Sequence, residues 1–195
     1  MKEMNNGARR ARLATLIRER ALRHGDFVLR SGARSTFYLD CRQVTLDAEG
    51  AYLVASLILD RLRGVRVQAI GGPALAAVPI VGAVCALSYA QGRPLPGFVV
   101  RKEAKDHGTG NLIEGPLPPG AGVVLVEDTL TTGGELLRSA AAVRDLGCMV
   151  AGAICIVDRG AGALATLHEH GIPAEALFTL ADLGVEQPEM PVLGP

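Results

Sequence analysis

Val123-Val124-Leu125-Val126-Glu127-Asp128-Thr129-Leu130-Thr131-Thr132-Gly133-Gly134-Glu135-Leu136-Leu137 passes from an unbroken apolar run, through an acidic pair and a Thr/Gly turn, into a helical pattern. An apolar run without alternation describes a strand covered on both faces. Leu136, Leu137, Ala140, Val143 and Leu146 then recur at helical spacing until Gly147 closes the helix. The carboxyl end of such a strand, where it turns into a helix, is where open α/β sheets bind ligands. Two glycines admit a close approach of the backbone, the threonines supply hydroxyl donors, and the helix start presents unpaired N–H groups, a combination that suits a phosphate. Glu127 and Asp128 would repel a phosphate but accept hydrogen bonds from a vicinal diol, as on a ribose. The same residue types also cap turns; placement after a buried strand favours the ligand site. Neither GxGxxG nor GxxxxGK[ST] occurs in the chain, which argues against dinucleotide and P-loop sites.

The pattern continues on both sides. Upstream, residues 67–70 read as a strand, an apolar helix follows Pro73, and residues 98–100 read as another strand; downstream, so do residues 150–157. Strands that alternate with helices and carry no polar face predict a parallel sheet covered on both sides, an α/β architecture. Nearer the start, Leu13, Leu16, Ile17 and Ala21 predict an amphipathic helix. Residues 27–29 and 37–39 flank the polar turn Arg30-Ser31-Gly32-Ala33-Arg34-Ser35, as a hairpin or a looped strand pair. Asp47 offers an N-cap to a helix running to Arg63. The Gly/Pro-rich residues 115–122 read as a loop, and no linker divides the chain. One domain over residues 1–195 is expected, with an N-terminal helix and hood over about 1–45 and a core over about 46–195.

At 195 residues and 49% hydrophobic, the chain can bury a sizeable core. Lys+Arg and Asp+Glu are equal at 20 each, so no overall field favours nucleic acid or an anionic membrane, and an anionic ligand must be held locally. The first residues lack the apolar stretch of a secretory signal. The longest apolar tract, residues 74–88, falls short of the ~20 residues of a spanning helix and contains Pro79. Cys41, Cys85, Cys148 and Cys155 form no CxxC pair and no dense scaffold, which fits reduced thiols in the cytosol.

Val126-Glu127-Asp128-Thr129-Leu130-Thr131-Thr132-Gly133-Gly134 resembles the phosphoribosyl pyrophosphate signature of the type I phosphoribosyltransferases, in which the two acids bind the ribose hydroxyls and the Thr/Gly turn the 5′-phosphate. Arg101-Lys102-Glu103-Ala104-Lys105-Asp106-His107-Gly108-Thr109-Gly110 places three cations and a histidine within seven positions, ahead of two glycines. Such a polycationic arm suits pyrophosphate, and this one resembles the mobile catalytic loop of the orotate-using members. Ser35-Thr36-Phe37-Tyr38-Leu39-Asp40 is similar to their N-terminal orotate-contacting segment, and Asp158-Arg159-Gly160 to the arginine that meets the orotate carboxylate. Gly71-Gly72-Pro73-Ala74-Leu75-Ala76-Ala77 stands where the family has its pyrophosphate loop. Phe178-Thr179-Leu180-Ala181-Asp182-Leu183 resembles the C-terminal segment that packs near the hood.

The resemblance implies a central, mostly parallel sheet flanked by helices with a small N-terminal hood. It also implies transfer of the 5-phosphoribosyl group to orotate, giving orotidine 5′-monophosphate and pyrophosphate in pyrimidine biosynthesis. Catalysis falls on Lys105, Asp106 and His107. Phosphoribosyl pyrophosphate falls to Arg30, Leu75, Ala76, Arg101, Lys102, Lys105, His107 and the run Glu127, Asp128, Thr129, Leu130, Thr131, Thr132, Gly133, Gly134 and Glu135. Orotate falls to Tyr38, Leu39, Thr131 and Arg159. Mg²⁺ is expected to be held through the substrate rather than by protein ligands, in a cytoplasmic homodimer whose catalytic loop is shared across subunits, with no nucleic-acid or membrane partner. Three positions depart from the common pattern: Arg30 for a lysine, Ala76 for a lysine or glycine, and Glu135 for a small residue. The alternatives are an RNA-binding regulator on the same fold, which needs a basic face, and a transferase for another base.

Overall fold

The computed structural model describes residues 4–28, 34–103 and 112–185. Helix α1 (Asn6–Leu16) starts at Asn5, whose side chain accepts from the Ala8 amide, and runs into a π turn (Ile17–Ala21). The antiparallel pair β1 (Leu22–Val28) and β2 (Arg34–Leu39) forms a small sheet of its own. Then follow α2 (Arg42–Thr45), α3 (Ala48–Arg61), β3 (Ala69–Pro73), α4 (Ala77–Ala90), β4 (Gly97–Val100), β5 (Ile113–Glu114), β6 (Gly122–Leu130), α5 (Gly134–Asp145), β7 (Met149–Asp158), α6 (Ala163–Glu169) and β8 (Ala174–Thr179). The six-stranded sheet has the order β5-β4-β3-β6-β7-β8, parallel except for β5 at one edge.

This order places a topological switch point between β3 and β6. The chain leaves β3 toward β4 on one side and continues from β6 toward β7 and β8 on the other, which opens a crevice at the carboxyl ends of β3 and β6. One face of the sheet packs through Ile70, Val124, Val126, Ile154 and Ile156 against α1, α3, α4 and the base of the hood. The other packs through Phe98, Val123, Leu125 and Cys155 against Leu136, Ala140 and Val143 of α5 and Leu167 of α6. Burial on both faces is why these strands read as continuous apolar runs.

Several expectations hold. Asp47 caps α3, accepting from the Gly50 amide at 3.0 Å, and α5 ends before Gly147, whose φ is +72°. Others need correction. Gly71, Gly72 and Pro73, read as the start of a loop, lie in β3, buried at the centre of the sheet. A Cβ on Gly71 would come within 2.4 Å of the Phe98 ring, and one on Gly72 within 2.1 Å of the Val126 carbonyl oxygen. The strands approach so closely that only glycine fits, and composition alone reads such a glycine pair as a turn. Likewise β6 continues through Leu130, so Glu127 and Asp128 stand within the strand and not in the loop after it. The first hood strand begins at Leu22 rather than residue 27, and Ser35, read as part of the turn, belongs to β2.

Candidate active site

Glu127, Asp128 and Thr129 are held by the long parallel ladder between β6 and β7, which pairs Glu127 with Cys155, Thr129 with Val157 and Leu130 with Asp158. Successive strand residues point to opposite faces, and the two acids accordingly have different charged neighbours. Glu127 lies within electrostatic reach of Glu135, Arg138 and Lys102; Asp128 lies within reach of Arg42 and Asp40 from the hood side. Glu127 is only 9% exposed and its carboxyl makes no hydrogen bond among the described residues. Burial, and then the charges of Asp128 and Glu135, push its carboxyl up to about 8. Asp128 is also raised by burial, opposed by the Thr129 amide and hydroxyl, which both donate to its Oδ1 at 2.6 and 3.2 Å. Its Oδ2 makes no hydrogen bond among the described residues. Glu127 is buried and Asp128 half-buried, and both stand at the carboxyl end of β6, where the switch point opens its crevice.

Beyond Leu130 the chain turns through Thr131 and Thr132, both exposed, to Gly133 at φ +81°, a left-handed conformation that favours glycine. No side chain caps α5, so the first-turn amides that Asp47 serves in α3 are left here for an anion. Gly134 opens the helix. Glu135 is ion-paired to Arg138 one turn later, so its carboxylate, the departure noted in the sequence, is matched within the helix.

Across the crevice, β3 leads into Ala74, an exposed Leu75 and a half-buried Ala76 ahead of α4. Arg101 follows β4, with its amide bonded to the Leu112 carbonyl at 2.8 Å and its guanidinium 3.3 Å from Glu114 Oε1; Lys102 comes next. Arg159 follows β7, its amide donating to the Leu130 carbonyl at 2.9 Å and its guanidinium stacked 5.4 Å from the centre of the Phe37 ring. Tyr38 beside it is exposed, whereas Leu39 is buried and offers the site only its backbone. The structure thus brings Arg159, the hood strand β2 and the end of β6 together, as the sequence reading expects. Arg30, Lys105, Asp106 and His107 lie outside the described residues.

Sequence reasoning missed four residues. Arg42 is held by both carboxylate oxygens of Asp40 at 2.7 and 3.2 Å and approaches Asp128; Phe37 supplies the platform under Arg159; Glu114 pairs with Arg101; and Arg138 neutralises Glu135. Only Arg138 had a legible signal, the Glu-to-Arg spacing of three on a helix. Cys41 and Cys155 are buried, and desolvation pushes both thiols up, so they are packing groups rather than nucleophiles.

Residues 48–169 match the family model described as the phosphoribosyl transferase domain. The chain is 40% identical over 182 residues to the orotate phosphoribosyltransferase of Rhodopirellula baltica, covering 90% of this chain and 94% of that one. With its counterpart from Thermosynechococcus vestitus it shares 46% identity, with 88% and 90% covered. Among solved structures, orotate phosphoribosyltransferase of Mycobacterium tuberculosis superposes with a TM-score of 0.82 at 38% identity, over 91% of this chain and 99% of that one. The same enzyme in complex with 5-phospho-α-D-ribosyl 1-diphosphate gives 0.78 at 35%, again over 91% and 99%. An adenine phosphoribosyltransferase from Thermoanaerobacter pseudethanolicus, at 18% identity and a TM-score of 0.60, shares the fold.

Proposed function

This chain belongs to the phosphoribosyl transferase family and, within it, to the orotate phosphoribosyltransferases, and from that premise we propose how its own residues bind the substrates and assist the transfer. The carrying observation is the end of β6: two adjacent acids, the buried Glu127 and the half-buried Asp128, followed by a Thr/Gly turn and an uncapped helix start. The ribose hydroxyls donate to the two carboxylates, and the 5′-phosphate takes the amides and hydroxyls from Thr131 to Gly134. The acids are thus stabilised when a sugar diol arrives, and Glu135 does not oppose the phosphate because Arg138 holds it.

Orotate lies between the hood and the end of β7. The guanidinium of Arg159, stacked on Phe37, forks the carboxylate that distinguishes orotate from uracil, while the backbone at Tyr38 and Leu39 and the Thr131 hydroxyl meet the ring. Arg101 and Lys102 face the leaving pyrophosphate, and the family resemblance assigns Lys105, His107 and Arg30 to the same substrate. Lys105, Asp106 and His107 carry the catalytic assignment; charge neutralisation and exclusion of water are their contribution.

Mg²⁺ fits the same place. It would be held mainly through substrate oxygens, with Glu127 and Asp128, which take the ribose hydroxyls, contributing little or indirectly. When bound it spreads the charge of the departing pyrophosphate.

We place the protein in the cytoplasm as a homodimer. The outward face of α4 supports association, since Val78, Gly82, Ala86 and Tyr89 form an exposed stripe on a helix without a charged residue. Orotate-dependent pyrophosphate release, followed as loss of free orotate absorbance, tests the activity; turnover with uracil or a purine instead overturns it. Mixing Lys105→Ala with Asp128→Ala chains tests the shared loop. Recovery to about a quarter of parent activity on subunit exchange is expected for a loop acting in trans across a two-fold, and no recovery for one acting in cis.

A further inference from the structure

Strand β5 is two residues long, yet three features fix it. It pairs antiparallel with β4, Val99 opposite Glu114 and Val100 opposite Ile113. The bond from the Arg101 amide to the Leu112 carbonyl extends that ladder. Gly115, at φ +107°, lies so close to β4 that a Cβ would meet the Gly97 carbonyl oxygen at 2.6 Å. Glu114 is therefore held at a set position on the edge of the sheet, where its carboxylate meets the Arg101 guanidinium at 3.3 Å, with both side chains about 40% exposed.

The two line an open cavity of about 640 Å³ together with Ala74, Leu75, Lys102 and Glu103. Among the described residues its formal charge is balanced, two cations against two carboxylates. A pyrophosphate recruiting Arg101 must draw it from a carboxylate that the backbone keeps in place. We propose that Glu114 is a positioning residue that holds Arg101 while the site is empty and competes with pyrophosphate for it, so that product leaves faster. This rests on the assignment of Arg101 to pyrophosphate given above. A carboxylate beside a polyanion site weakens binding, and what it supplies in return is release.

The test is a titration of magnesium pyrophosphate into the full-length protein by calorimetry, with parallel steady-state kinetics. Glu114→Gln is expected to bind pyrophosphate about two- to fivefold more tightly, the range an exposed ion pair supports. The KM for phosphoribosyl pyrophosphate should fall in step, kcat should stay level or drop as product lingers, and the KM for orotate should not move. Glu114→Asp should behave like the parent. Arg101→Ala should bind pyrophosphate more weakly and make Glu114→Gln silent. Unaltered pyrophosphate affinity in Glu114→Gln overturns the proposal, as does the same tightening in the Arg101→Ala background, which would make Glu114 a repulsive charge and nothing more. A parent that binds magnesium pyrophosphate without turning over orotate would sink the base assignment instead, and the titration would still decide the role of Glu114.

Discussion

Two charged regions of the molecule handle their charges in opposite ways. Along α1 and its π turn, arginines find partners throughout: Arg9 with Asp60 at 3.2 Å, Arg12 with Glu49 through two bonds of 2.8 and 2.7 Å, and Arg20 with Asp47 at 2.6 Å. Arg10 donates to the Leu177 carbonyl, reaches Asp182 at 3.2 Å and lies 4.7 Å over the Phe178 ring, which ties the N-terminal helix to the C-terminal strand. At the end of β6, the buried Glu127 and the half-buried Asp128 keep oxygens without donors among the described residues. Ion pairs near a surface are worth little and can be spent on holding elements in register. Carboxylate oxygens without an internal donor at the carboxyl end of a parallel strand can take one from a ligand. Both regions carry charge; whether the partner is internal separates scaffold from candidate site.

Asp128→Asn is the sharpest way to break that comparison. An amide in place of the charged acceptor should weaken phosphoribosyl pyrophosphate by roughly 10–100-fold, the worth of a charge-assisted hydrogen bond, while leaving orotate nearly untouched. Separate titrations of the two substrates decide it, and equal losses for both would mean a damaged fold.

Acidity should sharpen it next. With Glu127 at about 8 in the ligand-free protein, a ribose hydroxyl meets a protonated carboxyl at neutral pH. Affinity for phosphoribosyl pyrophosphate should rise a few-fold per pH unit toward about 8, tenfold per unit being the limit for one linked proton. The stability of the free protein should run the other way. The folded state holds a proton on Glu127 that the unfolded chain releases near its ordinary value of 4.5, so between there and about 8 the folded state binds more protons and loses stability as pH rises. Glu127→Gln should flatten both profiles, as binding titrations and melting curves at pH 5 to 9 would show. A slope that survives the substitution assigns the linkage to another group.

The smallest effect belongs to α1. Arg12→Ala removes a two-bond pair, yet both side chains are about 40% exposed, so the melting temperature should drop by about 2 °C or less with both KM values unchanged. A loss of activity there would dissolve the distinction between the two regions.

Much of the candidate site was legible in the chain because its residues are contiguous. The run from Val126 to Gly134 carries the end of its strand, its acids and its Thr/Gly turn within one stretch, and Asp47 and Gly147 mark helix ends by local rules alone. What was hidden depends on neighbours distant in sequence. Gly71 and Gly72 look like a turn until Phe98 and Val126 are brought against them. Arg159 looks like any arginine after a strand until Phe37 is placed under its guanidinium. Strand β5 is too short to give a period, and Glu114 acquires meaning only when an antiparallel pairing returns the chain beside Arg101.

The glycine pair in β3 also bears on how sequence variation in this protein should be read. Every single-nucleotide change at either codon that alters the residue adds at least a Cβ, and at Gly71 or Gly72 that atom has no room. A saturation scan scored on growth would record both positions as intolerant as Asp128, for a reason that lies in the Phe98 ring and the Val126 carbonyl and involves no substrate. Around this switch point, tolerance maps alone cannot separate chemistry from packing volume. Scoring the same library for protein abundance alongside growth would, since the glycine variants vanish from both measures while the acidic ones vanish from only one.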